Sequence, residues 1–448
     1  MYKSVKVSEF LHRVKDPVQL QPEQEYSLVT IKVHHKGVVL RNKTKGKLIG
    51  SKMYRISKGQ FILSGIDARN GAFGIVPDEL DGAIVTNDFW YFDIDETKVK
   101  RDFFYWLTNT PIFLNACIKS SQGVTQRIRL QTKLFFDFEF RFPPLEEQEN
   151  FLKRIQHADQ GLILLRVELQ KQEKYISQLK QAVLQEAIAG QLTTEWRDRN
   201  PMQKGDPDTD AAALLAKIKA EKQQAIADGK LKKEKPLSKI SPDEIPFSLP
   251  DNWVWCRLGN ITTLITDGKH GDCQNEPNSG YYFLSAKDIK NGRLVYENSR
   301  QITFKDFVEV HKRTNLEAGD LCLVNTGATI GKTAIVPLHE FTSKTTFQKS
   351  IAIIKVLKSL TSIQYLEKFL ISETSNLLEM SKGSAINNLL LGDLRKQLIP
   401  LPPLAEQKAI VEKVDYLMKI IDQLEEQIKH RKQLAEDLMQ TVLREAFE

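Results

Sequence analysis

The stretch PPLEEQENFLKRIQHADQGLILLRVELQKQEKYISQLKQAVLQEAI, Pro143 to Ile188, returns without a gap as PPLAEQKAIVEKVDYLMKIIDQLEEQIKHRKQLAEDLMQTVLREAF, Pro402 to Phe447. Pro402 lies 259 positions beyond Pro143, and Phe447 lies 259 beyond Ile188, so the repeat has kept its register and its length. With Leu145 at heptad position a, the d positions are Gln148, Ile155, Leu162, Leu169, Ile176 and Val183. Carried over by 259, the same lettering selects Gln407, Val414, Ile421, Ile428, Ala435 and Val442. One apolar seam on an otherwise polar helix predicts pairing as a coiled coil. The Pro-Pro pair precedes each start, where a missing N–H costs nothing, and the glutamates that follow suit the positive helix end. A helix of about 45 residues spans roughly 68 Å, and neither copy can bury its seam alone.

The repeat reaches beyond the helices. KGQFILSGIDARNGAFGIVP, Lys58 to Pro77, aligns with AGDLCLVNTGATIGKTAIVP, Ala318 to Pro337, at an unbroken offset of 260. The one-residue slip against the helices fits an insertion in a surface loop. Each half is therefore a globular module followed by one helix. Inside the modules, short β-branched and aromatic runs are bounded by Gly, Asn and Asp: YSLVTIKV, GVVLR, FILSGI, FGIVP and GAIVTNDFWYFDI, then YFLSA, GDLCLVNT, TAIVP and SIAIIKVL. These predict strands of a β-rich α+β fold, with helices around Lys98 to Ser120 and Ser362 to Ser381.

At 448 residues and 41% hydrophobic content the chain can build several cores, a prior of roughly three domains. The excess of seven basic residues is compatible with a polyanionic partner but weak alone. Cys117, Cys256, Cys273 and Cys322 lie far apart without a CxxC pair, which predicts free thiols rather than disulfides or a zinc site. MYKSVKVSEF carries no apolar core behind its lysines, and no run of about 18 apolar residues occurs, so a cytoplasmic location without a membrane anchor is expected. The expected divisions are a module over 1–142, a helix over 143–190, a linker over 191–246, a second module over 247–401 and a second helix over 402–448. The linker holds LLAKIKAEKQQAIADGK, read as a short helix, then KLKKEKPLSK and SPDEIPFSLP. Its lysines read first as a solvated run, with a nucleic-acid contact as the alternative.

The order of module, PPLEEQ helix, GQLTTEWR tail, PFSLPDNWVWCRLGNI lead-in, second module and PPLAEQ helix resembles the specificity subunit of Type I restriction-modification enzymes, over nearly the whole chain. The resemblance implies two target-recognition domains, each reading half of a split double-stranded DNA sequence, and two long helices packed antiparallel as a spacer with internal pseudo-two-fold symmetry. It also implies two methyltransferase subunits docked on that frame and two ATP-dependent restriction (motor-nuclease) subunits. S-adenosylmethionine, ATP and Mg²⁺ would belong to those partners, leaving this chain without a catalytic or metal site. The first half shows no sequence counterpart of LPDNWVWCRLG before its module. A pseudo-dimer within one chain suits the dyad of a duplex, and differing modules imply an asymmetric target whose unread gap is set by helix length.

Some motifs point elsewhere. GATIGKT, Gly327 to Thr333, has only three residues between its glycines, where a phosphate-binding loop needs four, and reads as a structural turn that leaves Lys332 free for a DNA phosphate. Asp78, Glu96 and Lys98 mimic a Mg²⁺ nuclease triad, but the pattern is short, Asp78 aligns with Leu338, and surface charge is the simpler reading. A free-standing nuclease and a coiled-coil protein-binding adaptor are the rival functions. His34 and His35 lie on a polar stretch without a matching cluster, as does His270, and read as solvated or hydrogen-bonding side chains in preference to metal ligands.

Base edges are read by Arg, Lys, Asn and Gln on loops, and phosphates are gripped by Lys and hydroxyls. On that chemistry the candidates in the first module are Arg41, Lys43, Lys45, Lys47, Lys52, Arg69, Asn70, Gln126, Arg127 and Arg129. In the second they are Lys269, His270, Lys287, Lys332, Lys344, Asn387 and Asn388. The stretches after SQG and SKG rank first, because each follows a glycine at a matching place in its half.

Overall fold

The computed structural model describes residues 2–123, 128–382 and 387–447. It divides into two compact units, Met1–Gln172 with Gln427–Glu448, and Glu173–Glu426. In the first unit a four-stranded antiparallel sheet has the order Leu11–Arg13, Phe89–Ile94, Phe61–Ser64, Phe73–Ile75. The second unit repeats that order as Thr262–Asp267, Ile351–Val356, Leu321–Val324, Thr333–Ile335. The aligned blocks FILS and LCLV are thus central strands, and every residue of both is buried. Such strands are covered on two faces, so they read as unbroken apolar runs instead of alternating ones. Phe61 and Leu63 enter a core with Phe10, Phe92, Phe104, Phe113 and Phe140. Ile62 points into a separate core with Val29, Ile31 and Val85.

The repeat also holds bond for bond. Gly59 N–H donates to the Val76 carbonyl at 2.9 Å, as Gly319 does to Val336 at 2.8 Å. Both glycines have positive φ, +80° and +84°, which a side chain resists. The modules differ outside this frame. A five-stranded sheet occupies the first, containing the hairpin Glu25–Ile31 with Val38–Lys45. The second instead carries a helix at Phe304–Thr314 and a parallel pair, Tyr282–Leu284 with Thr345–Phe347.

Three expectations are revised. The run 82–94 is two strands in different sheets, Ile84–Val85 and Phe89–Ile94. Each expected module helix is two, Arg101–Thr108 and Pro111–Lys119, then Ile363–Ser372 and Thr374–Met380; Pro111 lacks the N–H to continue the first. The lead-in does have a structural counterpart in the first half: Lys3–Lys6 pairs with Glu139–Phe142 as Val254–Arg257 pairs with Leu398–Leu401. A four-residue helical turn follows each, closed by Lys6 N–H to Glu9 at 2.9 Å and by Arg257 N–H to Asn260 at 3.0 Å.

Both long helices are continuous, Leu145–Ile188 and Leu404–Phe447, 44 residues and about 66 Å each. The d positions Ile155, Leu162, Leu169, Ile176, Val183, Val414, Ile421, Ile428 and Ala435 are all buried. Val442 is only half-buried and Leu443 is buried in its place. A 3.6-residue helix drifts against a seven-residue repeat, so the seam passes to the next position near the end. The pairing is antiparallel within the first unit, where Arg154 bonds Glu445 at 2.5 Å and Arg431 bonds Gln172 at 3.2 Å. In the second unit Lys180 bridges Asp422 at 2.9 Å and Glu425 at 2.6 Å.

The segment 191–246 is packed, not a free tether. Its helix Ala211–Ala227 buries Ala211, Leu214 and Ile218, and Asp210 caps it by accepting from Ala212 and Ala213. Lys222 donates to the Gly259 and Thr262 carbonyls at 2.8 and 2.6 Å, closing the buried C-terminal end of a helical turn. Burial pulls its ammonium below the ordinary lysine range. Farther on, the buried Arg257 donates to the Ser238, Lys239 and Lys396 carbonyls and grips Glu244 at 2.8 and 3.0 Å.

Candidate nucleic-acid interface

The glutamine of each PPLxEQ motif joins helix to module. Gln148 is fully buried; its amide oxygen accepts from Lys100 N–H at 2.9 Å and its Nε2 donates to the Pro143 carbonyl at 2.9 Å. Gln407 makes the same pair with Ser362 N–H and the Pro402 carbonyl, both at 2.9 Å. Sequence reading placed these glutamines on the seam but missed the clasp; their recurrence at d, where an apolar residue belongs, was the available signal. The neighbouring glutamates part company. Glu147 is exposed, whereas Glu406 is wholly buried and accepts from Thr193 Oγ1 (2.7 Å), Arg197 Nη1 (2.6 Å), Asn252 Nδ2 (3.1 Å) and Trp253 Nε1 (2.8 Å).

Loops at one end of each four-stranded sheet bring candidate residues together. In the first module Leu130 N–H donates to the Gly65 carbonyl at 2.8 Å, tying the segment carrying Arg129 to the loop 65–71. Leu389 N–H donates to the Asn325 carbonyl at 2.8 Å at the matching place in the second. Arg129 bridges Asp88 at 3.2 Å; Gln126 and Arg127 lie outside the described residues. Asn387 accepts Gly327 N–H through its carbonyl, and Asn388 pairs with Thr326, whose hydroxyl bonds its Oδ1 at 2.9 Å. This leaves both asparagines half-buried beside the GATIGKT turn. That turn runs into a strand, Thr333–Ile335, and not the helix a phosphate-binding loop requires.

Loop 65–71 also meets the hairpin tip of the five-stranded sheet. His34 N–H bonds the Asn70 carbonyl at 2.8 Å and His35 N–H bonds the Gly71 carbonyl at 3.0 Å. Arg69 and Asn70 therefore sit against the hairpin that carries Arg41 and Lys43. Opposite Leu28 and Val29 the ladder skips from Asn42 to Leu40, making Arg41 the extra residue of a β-bulge, a device that re-aims a side chain. Lys45 and Lys47 are paired to Glu23 at 3.1 and 3.0 Å, and Lys52 is exposed at the start of another strand.

In the second module Lys269 is held by Glu309 at 2.6 Å, and the half-free His270 by Asp267 at 2.8 Å, with Arg313 on the other Asp267 oxygen. Lys287, Lys332 and Lys344 are exposed on separate turns. Of the nuclease-like trio, Glu96 accepts from Arg101 N–H at 3.4 Å at a helix start, and the Lys98 carbonyl accepts from Gln148 at 3.4 Å. Among the described residues no helix is long and apolar enough to cross a membrane.

Residues 12–174 and 250–431 match the family described as Type I restriction modification DNA specificity domain. The chain belongs to this family. Its relatives include the Type I restriction enzyme EcoEI specificity subunit of Escherichia coli, 28% identical over 58% of this chain, and the EcoAI specificity subunit of the same organism, 29% identical over 58%. The matched region spans 43% of the length of each of those two relatives. In fold the chain is similar to a subunit from a solved type I R-M system, with a TM-score of 0.67 at 18% identity, covering 100% of this chain and 97% of that one. It is also similar to the HsdS subunit of Thermoanaerobacter tengcongensis, with a TM-score of 0.53 at 16% identity and coverage of 100% and 96%. Two α+β modules joined to two long helices, with an internal repeat, are the architecture these similarities share with this chain.

Proposed function

We propose that this chain is the DNA sequence-specificity subunit of a Type I restriction-modification complex, binding an asymmetric bipartite duplex target through its two modules and carrying no catalysis of its own. The doubled module-plus-helix, repeated down to the glutamine clasp, is the observation that supports this most directly. A frame shared by the two modules but carrying different insertions would give two half-sites of different sequence. The two 44-residue helices would set the length of the unread gap between them.

Partners would dock on apolar helix surface. The first unit exposes Ile163, Leu164 and Val167 with Leu434 and Leu438, and the second exposes Tyr175 and Leu179 with Tyr416, Ile420 and Leu424. Apolar side chains grouped on polar helices mark interaction sites, and one group in each unit suits two copies of a methyltransferase subunit. Two restriction subunits would join that assembly for cleavage; S-adenosylmethionine, ATP and Mg²⁺ would be used by those partners. The test is to co-purify the chain with methyltransferase subunits encoded beside it and map methylation across a genome. The expected outcome is one split, asymmetric target; a contiguous target, or no association, would count against the proposal.

A further inference from the structure

The first module contains a hairpin turn that has no counterpart in the repeat. Its strands are Glu25–Ile31 and Val38–Lys45, and Lys32 N–H bonds the Gly37 carbonyl at 2.9 Å to close it. His34 and His35 occupy the turn with φ of +60° and +57°, consecutive left-handed residues where Asn-Gly or Gly-Gly would ordinarily stand. Two β-carbons in that conformation are held by their surroundings. The loop 67–71 receives both backbone N–H groups, the His35 ring packs edge-on to Phe73 at 5.1 Å, and Gly71 leaves room for that ring, since a Cβ there would lie 3.2 Å from it. His35, although exposed, is thus pinned against this loop. His34, Lys32 and Lys36 stay exposed, with Asn70 beside them and its amide oriented by Asp67 at 3.1 Å.

We infer that this hairpin is the first module's DNA-reading ribbon, with the His34 imidazole and Asn70 meeting base edges in the major groove and Lys32 and Lys36 meeting the flanking phosphates. The inference rests on the specificity reading above and adds where one half-site is read. A major groove admits a two-stranded β-ribbon. Strained non-glycine turns persist where surrounding structure over-determines them, and they gather at ligand-contacting sites. The bulge at Arg41 turns a further cation out of the same ribbon. Because the second module carries a helix, Phe304–Thr314, and different strands outside the shared frame, the ribbon's influence falls on one half-site.

The full chain, assembled with its methyltransferase subunits, is challenged with a random duplex library, comparing wild type, His34→Gly, Asn70→Ala and the pair Lys32→Gln with Lys36→Gln. Glycine suits a positive φ, so His34→Gly keeps the fold, checked by an unfolding midpoint no lower than wild type. The expected result is a loss of base preference of roughly tenfold or more at one or two positions of a single half-site, with the other half-site unchanged. The lysine pair is expected to weaken binding to all sequences and to flatten the slope of log affinity against log salt by about 1.8, at about 0.9 per phosphate contact. An unchanged target in both halves with an unchanged salt slope overturns the ribbon assignment while leaving the specificity reading intact. A wild-type complex that selects no split target overturns both.

Discussion

Replacing Glu406 with alanine separates two residues that the repeat makes equivalent. Glu406 is wholly buried and is the common acceptor for Thr193, Arg197, Asn252 and Trp253. Alanine would strand three neutral donors at about 1–3 kcal/mol each, and would leave the Arg197 guanidinium, whose side chain is 19% exposed, without its carboxylate. Water entering the vacated space recovers part of this, so about 3–5 kcal/mol is the expected loss, the range for breaking a buried pair from one side. With a slope of about 3 kcal/mol/M, the urea midpoint of the second unit should fall by roughly 1–1.7 M. Glu147 stands at the same place in the first motif but is exposed, and Glu147→Ala should stay within about 0.5 kcal/mol of wild type. Unfolding of the full chain, followed by tryptophan fluorescence, reads both variants. Equal costs, or a Glu406→Ala loss under about 1 kcal/mol, would refute the view that this carboxylate gathers the helix tail and the lead-in onto the second helix.

Further outcomes follow from other contacts. Gln148→Ala removes three bonds to main chain, one of them long, and Gln407→Ala two, each at a buried junction, and each should cost about 2–3 kcal/mol; a smaller loss by urea titration than for an exposed glutamine would argue against the clasp. Hydrogen bonds from the Ser241 backbone first, and then from Arg257 and the Ser241 hydroxyl, hold the Glu244 carboxyl down at about 2. Its contribution to holding the segment 191–246 in place is therefore present above the ordinary glutamate value and is lost as pH falls toward 2. Limited acid proteolysis between pH 5 and 2.5 should open the segment around 238–246 in wild type, and Glu244→Gln should show that opening already at pH 5; identical profiles would count against it. Burial pushes the Cys256 thiol up to about 12 and raises those of Cys117 and Cys322 as well, so these three should resist a thiol reagent until denaturant is added. Deleting one heptad from both long helices should shorten the gap in the methylation target or abolish methylation, and an unchanged target would end the ruler idea.

Much of the architecture could be read from the chain because it depends on local pattern. The doubled helix, its seam and the aligned FILS and LCLV blocks are periodic signals, and they emerge as the paired helices and central strands. What escaped depends on partners distant in sequence. KSVK and VWCR share no motif, yet both pair with the strand that leads into a Pro-Pro helix, since strand pairing is made by main chain. Within 191–246 the lysines of KLKKEKPLSK are exposed, as their charge suggests, but Lys222 in the preceding helix donates to carbonyls and Glu244 is gripped by Arg257, pairings that composition does not reveal. Likewise nothing in PPLEEQ and PPLAEQ tells an exposed glutamate from a buried one; Trp253 and Arg197 decide that from far along the chain. Among the proposed contact residues, chemistry alone could name Arg69 and Asn70, but not that the main chain of two histidines would be bonded to their loop.

The glutamine clasp has an evolutionary consequence. Because each module is fastened to its helix through main-chain groups of Lys100 or Ser362 and of the first proline, the fastening takes no account of which side chains the module displays. A gene exchange that replaced the coding region of one module only, with its downstream crossover at that module's Pro-Pro codons, would deliver a new cartridge into an unchanged socket. Such a lineage could rewrite half of its address by one recombination event, with no retuning of the frame that receives it.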